Sequence, residues 1–145
     1  KVHMWTCNTK NKNQQWSFDP STGQIKNKHG ICLDASQRNQ RGGKVHMWTC
    51  QTTNWNQQWS YDVTTGQIKN TRGLCLDASQ RNRRGGKVHM WTCNTNNKNQ
   101  QFILNTDHNN GGRTRVSVEK GNEINYFRNF FDVLFFWNSN HFLFN

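Results

Sequence analysis

Proline occurs once in 145 residues, acidic side chains number eight against nineteen Lys and Arg, and only 32% of the chain is apolar. No segment approaches the run of about eighteen apolar residues that a membrane-spanning helix requires. The longest aromatic stretch, Tyr126 to Trp137, is broken by Arg128 and Asp132, so membrane insertion is not expected. Scarcity of carboxylates speaks against glycoside hydrolysis, which needs two of them about 5 to 10 Å apart. The repeated part of the chain offers only Asp19, Asp34, Asp62 and Asp77. Equally absent are a Gly-rich phosphate loop ahead of a helix, a nucleophile beside a base, and a CxxC pair. No signal peptide is visible at the N-terminus, although Lys1 is not where the repeat pattern would begin.

What remains is a polar chain with seven Trp. Disordered chains are poor in aromatics, so a folded domain is the better reading, and the length suits one domain with a real core. The net charge of +11 is uneven: residues 1–102 hold fifteen Lys and Arg against four Asp, whereas residues 103–145 hold four of each sign. A basic surplus attracts polyanions, though it can equally be a solubility device.

KVHMWTC occurs at residues 1, 44 and 87, a period of 43, and residues 32–50 differ from 75–93 only at Gln40 against Arg83. Such a period marks one supersecondary unit copied, and near-identical copies should build near-identical sites. In VHMWT, Val45, Met47 and Thr49 alternate with His46 and Trp48, so one set faces the core and the other faces out. QQWSYD and GQIKN are further short strands, bounded by Gly, Asn, Asp and Thr. No helical period shows across residues 1–102. Four short strands per copy predict an all-β closed or pseudo-symmetric architecture. The first copy, residues 1–31, lacks its CLDAS strand; the second, 32–74, is complete; the third, 75–118, diverges after Phe102.

Residues 119–145 form an extension rich in Phe and Asn. It reads as a sticky or disordered tail, or as translated non-coding sequence. The competing reading is structural: in a closed three-unit ring, a C-terminal strand could stand in for the one missing before Lys1.

Cys32 and Cys50 are separated by 18 residues, as are Cys75 and Cys93. That arithmetic suggests one disulfide per copy, with Cys7 left over because its partner would precede Lys1. Zinc has no CxxC pair to support it, and neither metal nor cofactor is expected. If the disulfides form, the chain belongs to an oxidising, secretory compartment.

With CLD, VHMW, the cysteine pair and NQQW in place, residues 1–102 resemble the ricin-B-type QxW lectins and family 13 carbohydrate-binding modules. The resemblance implies a β-trefoil with three pseudo-threefold lobes, each able to hold one shallow sugar pocket. It assigns the second pocket to Asp34, His46, Trp48, Asn56 and Gln57, and the third to Asp77, His89, Trp91, Asn99 and Gln100. The family often has Gln where His46 stands. The first copy offers His3, Trp5, Asn13 and Gln14 but no Asp, so that site is expected to be weak or dead. A flat indole for the C–H face of a sugar, with a carboxylate and amides for its hydroxyls, suits such chemistry.

Each assignment has a plainer counterpart. Trp16 and Trp59 of QQW fit the core, with Phe102 in the same role; Asp34 could be a turn residue; Gln57 could hold a backbone strand. His3, His46 and His89 recur once per copy, and a metal on the pseudo-threefold axis is the weaker explanation. The implied function is a multivalent, non-catalytic lectin for galactose-type or xylan-type glycans, with the chain read as a module detached from an enzyme or standing alone. The alternative is a binder of sulfated or acidic glycans through the basic turns carrying Arg38, Arg41, Lys44 and Arg81, Arg83, Arg84, Lys87. Nucleic acid is disfavoured, since one exposed aromatic per copy is not a stacking track.

Overall fold

The computed structural model describes residues 1–71 and 73–104, and 142–144 as backbone. Residues 105–118, and 119–141 with 145 of the extension, lie outside the described residues. Among those described, all regular structure is short strands and three single 3₁₀ turns. The strands are β1 (His3–Thr6), β2 (Trp16–Asp19), β3 (Gln24–Asn27), β4 (Ile31–Asp34), β5 (Gly43–Lys44), β6 (His46–Thr49), β7 (Trp59–Asp62), β8 (Gln67–Asn70), β9 (Leu74–Asp77), β10 (Gly86–Lys87), β11 (His89–Thr92) and β12 (Phe142–Phe144). They form three antiparallel sheets, ordered β2-β3-β4-β6, β5-β11-β9-β8-β7 and β10-β1-β12. No helix among the described residues is long and apolar enough to cross a membrane.

The alternation of VHMWT sets the strand faces. Val45 and Val88 are buried, as is Met90, while Trp48 and Trp91 point to solvent. Each copy feeds the same positions into one common core: Val2, Val45 and Val88; Ile25 and Ile68; Leu33 and Leu76; and Trp16, Trp59 and Phe102. Burying an apolar side chain of this size is worth about 1.5–3 kcal/mol, so a polar chain folds by sending its few large residues to one place. The Trp59 indole is satisfied there, its Nε1–H donating to Leu33 O at 3.0 Å.

Neighbouring lobes are joined through glycine. Gly23 O accepts from Trp59 N at 2.8 Å and Gly66 O from Phe102 N at 2.7 Å. Gly23 has φ +69°, and a Cβ there would lie 2.9 Å from Trp59 O, so no other residue fits. A tighter constraint sits in the basic turns, where a Cβ on Gly43 would lie 2.1 Å from Gln37 O and one on Gly86 2.1 Å from Gln80 O.

Disulfides Cys32–Cys50 and Cys75–Cys93 staple the second and third lobes. Closing loops of this length contributes about 3 kcal/mol each. Cys7 takes part in neither. In the first lobe, β12 pairs antiparallel with β1, with Thr6↔Phe142, Trp5↔Leu143 and Met4↔Phe144. The register is that of β4 on β6, where Thr49↔Ile31, Trp48↔Cys32 and Met47↔Leu33. A C-terminal segment thus lies along β1 where the other lobes have their CLD strand.

Candidate functional site

Asp34 ends β4 and Asp77 ends β9, and antiparallel pairing sets each opposite the histidine of the next long strand: Asp34↔His46 and Asp77↔His89. Two residues further along each strand, the side chains fall on the same face, which brings Trp48 and Trp91 alongside. The His46 and Trp48 rings meet edge to face at 5.7 Å, whereas His89 and Trp91 stack at 5.3 Å with 15° between planes. Trp48 is 58% exposed and Trp91 39%. These are the outward indoles that the alternation predicts.

The 3₁₀ turn of each copy supplies the amides. Asn54 caps the turn Trp55–Gln57, its Oδ1 accepting from Asn56 N at 3.0 Å, and its Nδ2 donates to Asp34 Oδ2 at 3.0 Å. Gln57 donates through Nε2 to Asp34 Oδ2 at 3.1 Å and to Thr49 O at 2.9 Å, and accepts from Gln51 N at 2.8 Å. The third lobe repeats this: Asn97 and Gln100 donate to Asp77 Oδ2 at 2.8 and 3.0 Å, and Gln100 also holds Thr92 O and Asn94 N. The first lobe retains Gln14, which donates to Thr6 O at 3.0 Å and accepts from Asn8 N at 2.7 Å.

Burial sorts these residues into two groups. Gln57 and Gln100 are fully buried, and Asp34 and Asp77 are 2% exposed. Each glutamine, which the resemblance assigns to a pocket, joins the carboxylate of its lobe to the strand that carries the outward Trp. Each carboxylate has Oδ2 occupied, while Oδ1 stands 3.6 Å from His46 Nε2 or 3.5 Å from His89 Nε2. Neither gap is a short hydrogen bond, and Asp77 Oδ1 has no hydrogen-bond partner among the described residues. Burial holds His89 below its ordinary pKa of 6.5; Asp77 pulls the other way, and Lys87 adds to the depression.

The arginines of the basic turns divide as well. Arg38 Nη1 donates to Asn56 Oδ1, and Arg81 Nη1 to Asn99 Oδ1 at 2.7 Å, so this pair is folded back onto its own lobe. Arg41 and Arg84 instead reach the next lobe, with guanidinium carbons 5.9 Å from the Trp91 centroid and 4.6 Å from that of Trp5. No group of three or more metal-ligating side chains lies together among the described residues.

Sequence reasoning missed Asn54 and Asn97, although Asn11, Asn54 and Asn97 recur at the repeat period and could have been found that way. It also missed Trp55, 51% exposed between Asn54 and Asn56; no repeat signal marks it, because Lys12 and Lys98 stand at its counterparts.

A family model described as "Ricin-type beta-trefoil lectin domain" matches residues 1–117. No curated protein matches the chain. Among solved structures, the crystal structure of a designed 3-fold symmetric protein, ThreeFoil, is similar at 24% identity and a TM-score of 0.55, over 66% of this chain and 74% of that one. The likeness shows the fold, the three-lobed β-trefoil that the family resemblance implies.

Proposed function

The chain belongs to the ricin-type β-trefoil lectin family, and from that premise we propose that it binds glycans at two pockets, one beside Trp48 and one beside Trp91. The observation that carries the reading is an outward indole twice set beside a carboxylate already fixed by an Asn and a Gln. Trp48 and Trp91 supply the stacking face. Asp34 and Asp77 supply Oδ1, an acceptor that a sugar hydroxyl takes once the histidine ring yields. Asn56 and Asn99 contribute the amide edge left over by Arg38 and Arg81. Gln57, Gln100, Asn54 and Asn97 act through the carboxylates as positioning residues.

Galactose-type and xylan-type chains suit such a shallow site, since both present a C–H face and neighbouring hydroxyls. The role is adhesive rather than catalytic: Asp34 and Asp77 are held by the amides of their own pockets, and Asp19 and Asp62 bond the turns that follow them. Two disulfides support a secreted protein. Capture of polyanions by the basic turns alone has weaker support, because Arg38 and Arg81 are tied to Asn56 and Asn99.

A glycan array at two salt concentrations tests the proposal, comparing the protein with Asp34→Ala plus Asp77→Ala and with Trp48→Ala plus Trp91→Ala. The second variant removes only exposed rings and keeps the fold. Binding to neutral galactosides or xylan that resists salt and disappears in both variants is expected. Binding confined to sulfated or uronic glycans, lost at high salt and indifferent to the Trp changes, would overturn the proposal in favour of the basic turns.

A further inference from the structure

The segment TGQI recurs at residues 22–25 and 65–68, and its glutamine is buried in both copies. A buried amide needs hydrogen-bond partners, and these come from the next lobe. The backbone junctions between lobes lie one residue away, where Gly23 O accepts from Trp59 N and Gly66 O from Phe102 N. Gln24 and Gln67, which open β3 and β8, are thereby carried across the boundary. Gln24 Nε2 donates to Gln57 Oε1 at 3.5 Å, and Gln67 Nε2 donates to Gln100 Oε1 at 3.1 Å. Each bond is buried and spans 33 residues of chain.

The groups around them force the direction of these bonds, because the two ends of an amide are told apart by their partners. Gln57 meets a backbone donor, Gln51 N, at one end and two acceptors, Asp34 Oδ2 and Thr49 O, at the other. Its oxygen therefore faces Gln51, and its NH₂ group faces the carboxylate. Gln100 is fixed in the same way between Asn94 N and the acceptors Asp77 Oδ2 and Thr92 O. Gln24 and Gln67 fill the second lone pair of each oxygen. Turning Gln57 or Gln100 over would set an amide oxygen against the carboxylate and an NH₂ group against a donor.

We propose that Gln24 and Gln67 are positioning residues for the pocket of the following lobe: each fixes the amide of Gln57 or Gln100, and through it the carboxylate of Asp34 or Asp77. This rests on the lectin reading above. Among the described residues, the side chains of Gln24 and Gln67 make no other hydrogen bond, so their polar ends serve the neighbouring pocket and not their own lobe. The order is the same in both places: Gln67 holds Gln100, Gln100 holds Asp77, and Asp77 is left with Oδ1 for a sugar hydroxyl. In a buried chain of this kind each bond polarises the next. The shorter bond makes the third pocket the more dependent of the two.

Binding is read at each pocket separately, from the indole Nε1–H resonances of Trp48 and Trp91 during titration with a neutral galactoside or xylo-oligosaccharide. Gln67→Met, close in size but without a donor, is expected to weaken binding at Trp91 about fivefold and to leave Trp48 within about twofold of the native protein. Gln24→Met is expected to do the reverse, with a loss of about threefold at Trp48. The unaffected pocket shows in the same sample that each variant is folded. Gln67→Glu adds a pH readout. Its ionised carboxylate can only accept, which draws Gln100 Nε2 away from Asp77, whereas the protonated acid donates as glutamine does. Burial raises a carboxyl pKa, so from pH 8 to pH 5 binding at Trp91 in Gln67→Glu is expected to recover about fivefold relative to Gln67→Met. Unchanged binding at Trp91 in Gln67→Met, losses confined to the glutamine's own lobe or equal at both pockets, or parallel pH profiles for Gln67→Glu and Gln67→Met would overturn the positioning role while leaving the lectin reading intact. Native protein in which neither indole responds to any sugar would overturn both.

Discussion

Removing Asp34 takes one acceptor from Asn54 Nδ2 and one from Gln57 Nε2, which keeps its bond to Thr49 O. A buried donor left unsatisfied costs about 1–3 kcal/mol, and only the Gln57 one is fully buried, so Asp34→Ala is expected to lower unfolding stability by about 2 kcal/mol in a denaturant titration. Trp48→Ala, at an exposed site, should change it by less than about 0.5 kcal/mol; a larger loss would show the ring to be structural. His89 adds a pH dependence. Burial depresses its pKa below the ordinary 6.5, so the unfolded chain binds the proton more readily, and stability is full above pH 6.5 and declines as pH falls through the depressed value. Carboxylates with lowered pKa, Asp19 and Asp62, lose their contribution only at lower pH, below their ordinary 3.8. The difference between the native protein and His89→Gln from pH 8 to 5 isolates the histidine, and a curve that superimposes on the variant's would refute the assignment. The outward Trp48 was legible from strand alternation, and the inward Trp16 and Trp59 from their place in QQW. The enclosure of Asp34 was not, because the groups around it come from β6 and from a 3₁₀ turn twenty residues away.

Strands β4, β6, β7 and β8 could be read from alternation and turn residues within one repeat. β5 and β10 could not: GGK looks like the end of a turn, and its partner strand lies in another lobe. That same pairing turned Arg41 and Arg84 toward neighbouring tryptophans, so a basic turn legible as a charge cluster acquired its role from tertiary contact alone. β12 is the element whose place the sequence left most open. Leu143 lies across from Trp5 as Cys32 lies across from Trp48, and Cys7 is the counterpart of Cys50 in the repeat. Leu143→Cys is therefore expected to form a third disulfide with Cys7, seen as a cross-linked peptide in a non-reducing digest. A free thiol at both positions under oxidising conditions, with no loss of melting temperature on deleting residues 119–145, would show that β12 has no part in closing the first lobe.

The whole molecule carries a +11 charge, and the proposed function sets two pockets on one three-lobed body. A rigid pair of sites raises avidity on a multivalent surface, by about 10²–10⁴ where both engage, and the charge speeds encounter with acidic glycan coats at low salt. The family was legible early because CLD, VHMW and NQQW are spaced as a unit; the packing of each described basic turn on the next lobe was not, because it is a contact between repeats. Sugar binding at Trp48 and Trp91 is the central claim, and the indole Nε1–H resonances test it most directly. Titrating a neutral galactoside or xylo-oligosaccharide into the protein should shift Trp48 and Trp91, while the buried Trp16 and Trp59 stay in place. Resonances of Trp48 and Trp91 that remain unmoved by every sugar would contradict the account.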